Sequence, residues 1–292
     1  MHVHSHDPDG TSPLGFTGER VIPGQPEWAW CFQAHKFGYD DLAARITPGA
    51  RITPGARISP GPRICDIGCG EGYGAASLAT AGARVVASDY SFEAVAHARA
   101  TYGTGVAWLV CDAQRLPFAP GVFDVVCSLQ VIEHFRDTDA HLSGVARALA
   151  PGGWHYVATP NIDEMSAEEK DNEYHLRDFT APELRQVLEQ HFEHVELLGM
   201  FYVESSPRVR SMRGAEAAGE AGVAKIARVE HWIRRLPGPL RVRARDFLRG
   251  MTGAPSRTVE EARNAIVAED FEARAPAEES FCLIGIARGP KQ

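Results

Sequence analysis

From residue 63 onward two kinds of stretch alternate along the chain. Short apolar runs, "RICDIG" (63–68), "RVVASD" (84–89), "VAWLVCD" (106–112), "FDVVCSLQ" (123–130), "WHYVATP" (154–160), "HVELLGMFYV" (194–203) and "SFCLIGIAR" (280–288), each predict a strand. Between them lie stretches with helical spacing. "EGYGAASLATAG" (71–82) ends in a Gly stop. "SFEAVAHARATY" (91–102) opens on a Ser cap and keeps Phe92, Val95 and Ala96 on one face. "TDAHLSGVARALAPGG" (138–153) closes in Pro-Gly-Gly, and "TAPELRQVLEQHF" (180–192) opens on Thr180 with Pro182 in its first turn. Ahead of them, "EWAWCFQAHKFGYDDLA" (27–43) reads as a first helix. Apolar strands alternating with helices predict an α/β fold, with a parallel sheet covered on both faces.

The pattern also divides the chain. Residues 1–15 are polar, His-rich and without the apolar core of a signal peptide, and they predict a disordered start. Residues 16–62 hold the first helix and then "RITPGARITPGARISPGP" (45–62), a hexapeptide given twice with a third, variant copy. A Pro every six residues forbids helix, so the repeat predicts an exposed connection. Residues 63–203 carry the alternating pattern. Residues 204–279 are too long for a turn and predict an inserted lid, and 280–292 hold a last strand and tail. Inside the insert, 223–249 is locally basic, with Val223, Ile226, Val229 and Ile233 at helical spacing. It reads as a solvated outer face, as a lid over the acceptor, or as a membrane-surface contact, against which Pro237-Gly238 breaks the pattern.

Composition removes some functions. The formal charge is −8 over 292 residues, so no net positive field favours nucleic acid as a partner. No apolar stretch reaches membrane-span length, which argues against stable membrane insertion. A cytoplasmic location is the expectation that follows. Cys31, Cys65, Cys69, Cys111, Cys127 and Cys282 are scattered with no CxxC pair, as reduced thiols used for packing would be.

The strongest chemical signal is "CDIGCGEGYGA" (65–75). A strand ends in Asp66, and Gly68, Gly70, Gly72 and Gly74 lead into a helix. Alternating glycines clear side chains from a place where backbone meets a ligand. Alone they would fit a dinucleotide. Three acids change that reading. Asp66 puts a carboxylate where a pyrophosphate would be repelled and an ammonium attracted. Asp89 closes the next strand, where an acid can accept both hydroxyls of a ribose. Asp112 closes the third, placed for an adenine amino group. An ammonium, a ribose diol and an adenine without phosphate describe S-adenosylmethionine, with S-adenosylhomocysteine as product.

Strand four ends in "SLQVIEHF" (128–135). In open parallel sheets ligands bind beyond the carboxyl ends of the strands, where strand order switches. A methyl acceptor must lose a proton, and an aliphatic hydroxyl is a poor nucleophile until it does. His134 is the first candidate general base. Glu133 could orient its imidazole or meet the acceptor itself. His175, after strand five, could share the role. A wall that only aligns the reactants is the alternative.

The glycine loop and its acids resemble the class I S-adenosylmethionine-dependent methyltransferases over most of 63–200. That resemblance implies a Rossmann-like, mostly parallel seven-stranded sheet whose last strand is antiparallel. It adds Tyr90, Ala113 and Gln130 to the cofactor site. "FTGERVIPG" (16–24), "QVIEHF" (130–135), "TPN" (159–161) and "YHLRDFTAPEL" (174–184) resemble the glycan-modifying branch, which includes the mycobacterial methylmannose polysaccharide O-methyltransferases and methyltransferases of mycofactocin glycans. The resemblance implies O-methylation of a sugar hydroxyl on a mannoside or related oligosaccharide or glycoside. It implies acceptor roles for Glu19, Arg20, His35 and Arg177, and it allows bound Mg2+ with no ligands assigned, as well as a homodimer. A small-molecule O- or N-methyltransferase of secondary metabolism is the nearest alternative, and a non-catalytic cofactor-binding protein is another.

Overall fold

A computed structural model describes residues 20–25, 29–47, 61–165, 170, 172–217 and 255–291, with 255–259 as backbone alone. Glu19, Trp28, most of the hexapeptide repeat, the basic stretch 223–249 and the N-terminal residues lie outside the described residues.

Two compact units divide the chain. The first combines residues up to Pro23 with His35–Phe201 and Glu272–Gln292. Its elements follow the predicted alternation: β1 (Arg63–Ile67), α2 (Tyr73–Thr80), β2 (Arg84–Asp89), α3 (Phe92–Tyr102), β3 (Val106–Val110), β4 (Phe123–Leu129), α4 (Asp139–Ala148), β5 (Leu149–Pro160), α5 (Ala181–His191) and β6 (Phe192–Tyr202). α1 (Ala29–Ile46) precedes them, and β7 (Phe271–Arg274) and β8 (Cys282–Pro290) follow. Among the described residues the sheet has eight strands, not seven, in the order β3-β2-β1-β4-β5-β8-β6-β7. The extra strand is β7, whose "FEAR" is too short to show any alternation.

β1 pairs in parallel with both β2 and β4, and β4 with β5. β8 runs antiparallel to both neighbours, β5 and β6, so it alone of these three is reversed. Right-handed crossovers send α2 and α3 to one face of the sheet and α4 and α5 to the other.

Local sequence explains the element ends. Ser91 accepts a hydrogen bond from Ala94 N and caps α3 as its hydroxyl predicts. Thr180 and Glu183 close a reciprocal capping box on α5, with Pro182 in the first turn. α4 stops at Ala148, earlier than the Pro-Gly-Gly punctuation suggested, because Leu149 already pairs with Phe123 of β4. The core lies between sheet and helices, and Trp154, Tyr156, Phe179 and Phe192 are its largest fully buried side chains.

The second unit joins Gly24–Ala34 to Tyr202–Phe271, so the segment before the repeat is shared between units. Within this second unit, Trp30 donates to the Tyr202 hydroxyl at 2.8 Å and meets the Phe271 ring edge-on at 6.4 Å. Asp270 is buried and accepts from Ser206 and Arg208.

Candidate active site

Strand order reverses between β1 and β4. Their carboxyl ends therefore open a crevice at this place. A cavity of about 550 Å3 occupies this place, within the range of ligand sites. All the residues that line it belong to the first unit.

The glycine loop forms its floor. Gly68, Gly70 and Gly72 have φ of 71°, 50° and 87°, backbone that other residues rarely adopt. A Cβ on Gly68 would stand 2.5 Å from Val131, and one on Gly72 2.6 Å from Ala98. At Gly70 the nearest atoms are those of the Arg20 stem, 3.5 Å away, so Arg20 lies along the loop. Arg20 and His35 both line the cavity.

Asp89 ends β2 and faces this loop. One carboxylate oxygen accepts from Gly70 N and the other from Ser91 N, each at 2.9 Å. The carboxylate is thereby fixed at the cavity wall with accepting capacity left on both oxygens. Tyr90 beside it is 67% exposed and lines the cavity. Asp112, Ala113 and Gln114 form the wall after β3, where Gln114 N donates to Asp112 at 2.8 Å.

Asp66 stands elsewhere than its position before the glycines suggested. It does not line the cavity but is wholly buried behind it. It accepts from the Tyr39 hydroxyl and, at 3.4 Å, from the Cys127 thiol. Burial pushes its carboxyl up to about 7, against these two hydrogen bonds. The face turned to the cavity is that of Tyr39, whose own pKa is raised by burial and then by Asp66. Beside Tyr39, the Tyr73 hydroxyl and His35 Nδ1 are 3.1 Å apart. Burial lowers His35 to about 4, which keeps it neutral near pH 7.

Glu133 and His134 follow the turn after β4. Gln130 begins that turn with φ 57°, the only non-glycine with positive φ among the described residues. His134 lines the cavity, and its Nδ1 is 3.0 Å from the carbonyl of Tyr174. A carbonyl can only accept, so in the neutral ring Nδ1 carries the proton and Nε2 keeps its lone pair. Glu133 is buried and turned away. Its side chain accepts from the Thr159 hydroxyl at 2.9 Å, and its backbone carbonyl accepts from Leu176 N and Arg177 N. Burial raises the Glu133 carboxyl, while His134 and His175 pull it the other way. His175 bonds Asp178 at 2.9 Å and meets the His134 ring edge-on at 5.5 Å, without lining the cavity. Arg177 lies over the Phe179 ring.

The segments 130–135, 159–161 and 174–184, far apart in sequence, thus converge on Glu133. The structure gathers Arg20, His35, Asp89, Tyr90, Asp112, Ala113, Gln130 and His134 around one cavity. It sets Asp66, Glu133, His175 and Arg177 behind or beside that wall. Sequence reasoning missed Tyr39, Tyr73 and Glu71, which also line it. The i, i+4 spacing of His35 and Tyr39 on α1 was the available signal for Tyr39. Glu71, inside the glycine loop, is buried against His97 at 2.8 Å and gave no signal of its own. Among the described residues no group of three or more His, Cys, Asp or Glu side chains is placed to hold a metal ion. No helix among them is long and apolar enough to cross a membrane.

Comparison with known proteins agrees with this geometry. Residues 65–157 match a family described as a methyltransferase domain. A probable S-adenosylmethionine-dependent methyltransferase of Mycolicibacterium smegmatis is 33% identical over 266 residues, 89% of this chain and 97% of that protein. One from Mycobacterium tuberculosis H37Rv is 35% identical over 202 residues, 68% of each chain. A solved structure of a SAM-dependent methyltransferase from Thermotoga maritima shares the fold, with a TM-score of 0.53, 16% identity, and coverage of 90% of this chain and 94% of that one.

Proposed function

We propose an acceptor chemistry for this chain, which belongs to the S-adenosylmethionine-dependent methyltransferase family. S-adenosylmethionine supplies the methyl group, activated by its sulfonium charge. The residues present fit it: a glycine cradle, a fixed carboxylate at the end of β2, and a further acid after β3.

The acceptor is the hydroxyl of a sugar in a mannoside or related oligosaccharide. One observation carries the oxygen chemistry: His134 faces the cavity with Nδ1–H committed to Tyr174, which leaves Nε2 to take a proton. An aliphatic hydroxyl needs such a base near neutral pH, whereas an amine in its free form does not. Glu133 sits close enough to stabilise the imidazolium electrostatically, and Thr159 fixes Glu133. Arg20 and His35 position the acceptor or the cofactor's amino-acid end. The sugar class is supported by the resemblance of 16–24, 130–135, 159–161 and 174–184 to glycan methyltransferases, and by the convergence of the last three on one corner.

The test is incubation with methyl-labelled S-adenosylmethionine and a panel of methylated and unmethylated manno- and gluco-oligosaccharides beside simple amines and phenols. Label on a sugar oxygen supports the reading. Efficient transfer to an amine or a phenol, with every sugar inert, rejects it.

A further inference from the structure

His141 takes no part in the cavity lining, yet it touches two of its walls. It sits on α4, wholly buried. Its Nδ1 lies 3.0 Å from the carbonyl of Ala113, which can only accept, so this nitrogen is the donor. Its ring lies 5.1 Å from that of Phe135, tilted by 41°. Ala113 and Phe135 both line the cavity, one in the loop after β3 and the other in the turn that carries His134. A single side chain therefore joins the two loops that flank the crevice.

Packing alone does not explain a histidine there. Leu142 and Val145 of the same helix are apolar and fully buried. His141 instead brings a polar ring whose Nε2 has no hydrogen-bond partner among the described residues, as has Nδ1 of His155, 6.1 Å away between ring centroids. Burying such a nitrogen costs free energy that a leucine would avoid. What the histidine supplies is a donor for the Ala113 carbonyl on a rigid, flat ring that also bears on Phe135.

We propose that His141 is a positioning residue for the cofactor cavity, holding the 111–114 loop against the 131–135 turn. The inference rests on reading this cavity as the S-adenosylmethionine site. It concerns binding and not the identity of the acceptor.

Three variants test it, with calorimetric affinity for S-adenosylhomocysteine, KM for S-adenosylmethionine, kcat and melting temperature as readouts. His141→Asn places an amide N–H near the position of Nδ1 and keeps the bond to Ala113. His141→Gln places its amide near Nε2 and loses that bond. His141→Phe keeps the ring and loses the donor. A buried carbonyl left without its donor weakens affinity by roughly tenfold. Phe and Gln should show that loss, with KM rising more than kcat falls, and Asn should recover most of it. The Asn and Gln pair keeps the comparison meaningful where the Phe variant folds poorly. Wild-type affinity in both Phe and Gln overturns the proposal. So does an affinity that follows melting temperature across all three, with Asn no better than Gln, since that is a packing role. Asp89→Ala separates the two levels. If it weakens binding while the His141 series does not, only the role of His141 fails. If Asp89→Ala binds as wild type too, the cavity is not the cofactor site and both readings fall.

Discussion

The phenol of Tyr39 lies 3.2 Å from each carboxylate oxygen of Asp66, and both side chains are buried. Tyr39 and Asp66 stand on either side of the whole hexapeptide repeat, and this contact binds α1 to β1. Gly74 makes room for it, because a Cβ there would run into the Tyr39 ring. The pair puts a titrating acid directly behind the cavity wall.

Asp66→Asn should therefore change stability in a pH-dependent way. The folded carboxyl titrates at about 7 and the unfolded one near 3.8. A raised pKa means that its stabilising contribution is complete below the unfolded value and is lost as pH rises through the folded one. Above pH 7 the native chain must hold a buried charge that asparagine does not carry. The variant should be more stable than wild type there by about 2–4 kcal/mol, an advantage that shrinks to nothing near pH 4. It should also bind S-adenosylmethionine more weakly, since a buried charge acts at range on a cationic ligand. Urea unfolding at pH 4.5 and 8 checks the first point, and a pH-independent difference overturns it.

The buried histidines act in the opposite sense. Burial lowers His141 to about 4 and His155 well below its usual range. Depressed bases give stability that is present above the unfolded value of 6.5 and lost as pH falls through the folded one. His141 alone withdraws up to about 3 kcal/mol between pH 6.5 and 4. Protonation of Asp66 offsets part of this. Asp66→Asn should thus unfold more steeply with acid than wild type, and His141→Asn less steeply, as circular dichroism across pH 4–8 would record.

Asp89→Ala removes the acceptor of Gly70 N and Ser91 N as well as the carboxylate on the cavity wall. The loss of charge-assisted bonds is about 1.5–3 kcal/mol, or roughly tenfold or more in cofactor affinity. Calorimetry with S-adenosylhomocysteine measures it.

His134→Ala should leave cofactor affinity near that of wild type and lower turnover by about two to four orders of magnitude. His175→Ala should cost less, because His175 is held by Asp178 and does not line the cavity. If the order is reversed, the base belongs to the loop after β5.

Gln130 holds a left-handed backbone at the end of β4. Gln130→Val puts a β-branched side chain into that conformation and should cost about 1–3 kcal/mol. Gln130→Gly should be tolerated far better. Equal chemical stability of the two would show that the turn relaxes at no cost.

Much was legible in the sequence by itself. Each strand and helix that bounds the crevice was readable from apolar periodicity, capping residues and glycine stops, because these are local preferences written within a few residues. The cofactor was readable as well, since glycines that need positive φ and acids at successive strand ends follow directly from strand–helix alternation. Asp89 and His134, at the end of β2 and in the turn after β4, both line the cavity. Tertiary structure decided what depends on contacts between distant segments. Asp66 precedes the glycines in sequence, yet Tyr39 from α1 covers it, so its charge reaches the cavity only through a phenol. Glu133 adjoins His134 in the chain, yet successive side chains in a tight turn diverge, and Thr159 holds it inside. β7 was invisible because four residues carry no pattern, and its place in the sheet comes from pairing rather than propensity. Periodicity specifies which residues are buried on an element. Which of them face a ligand depends on the elements that pack across it.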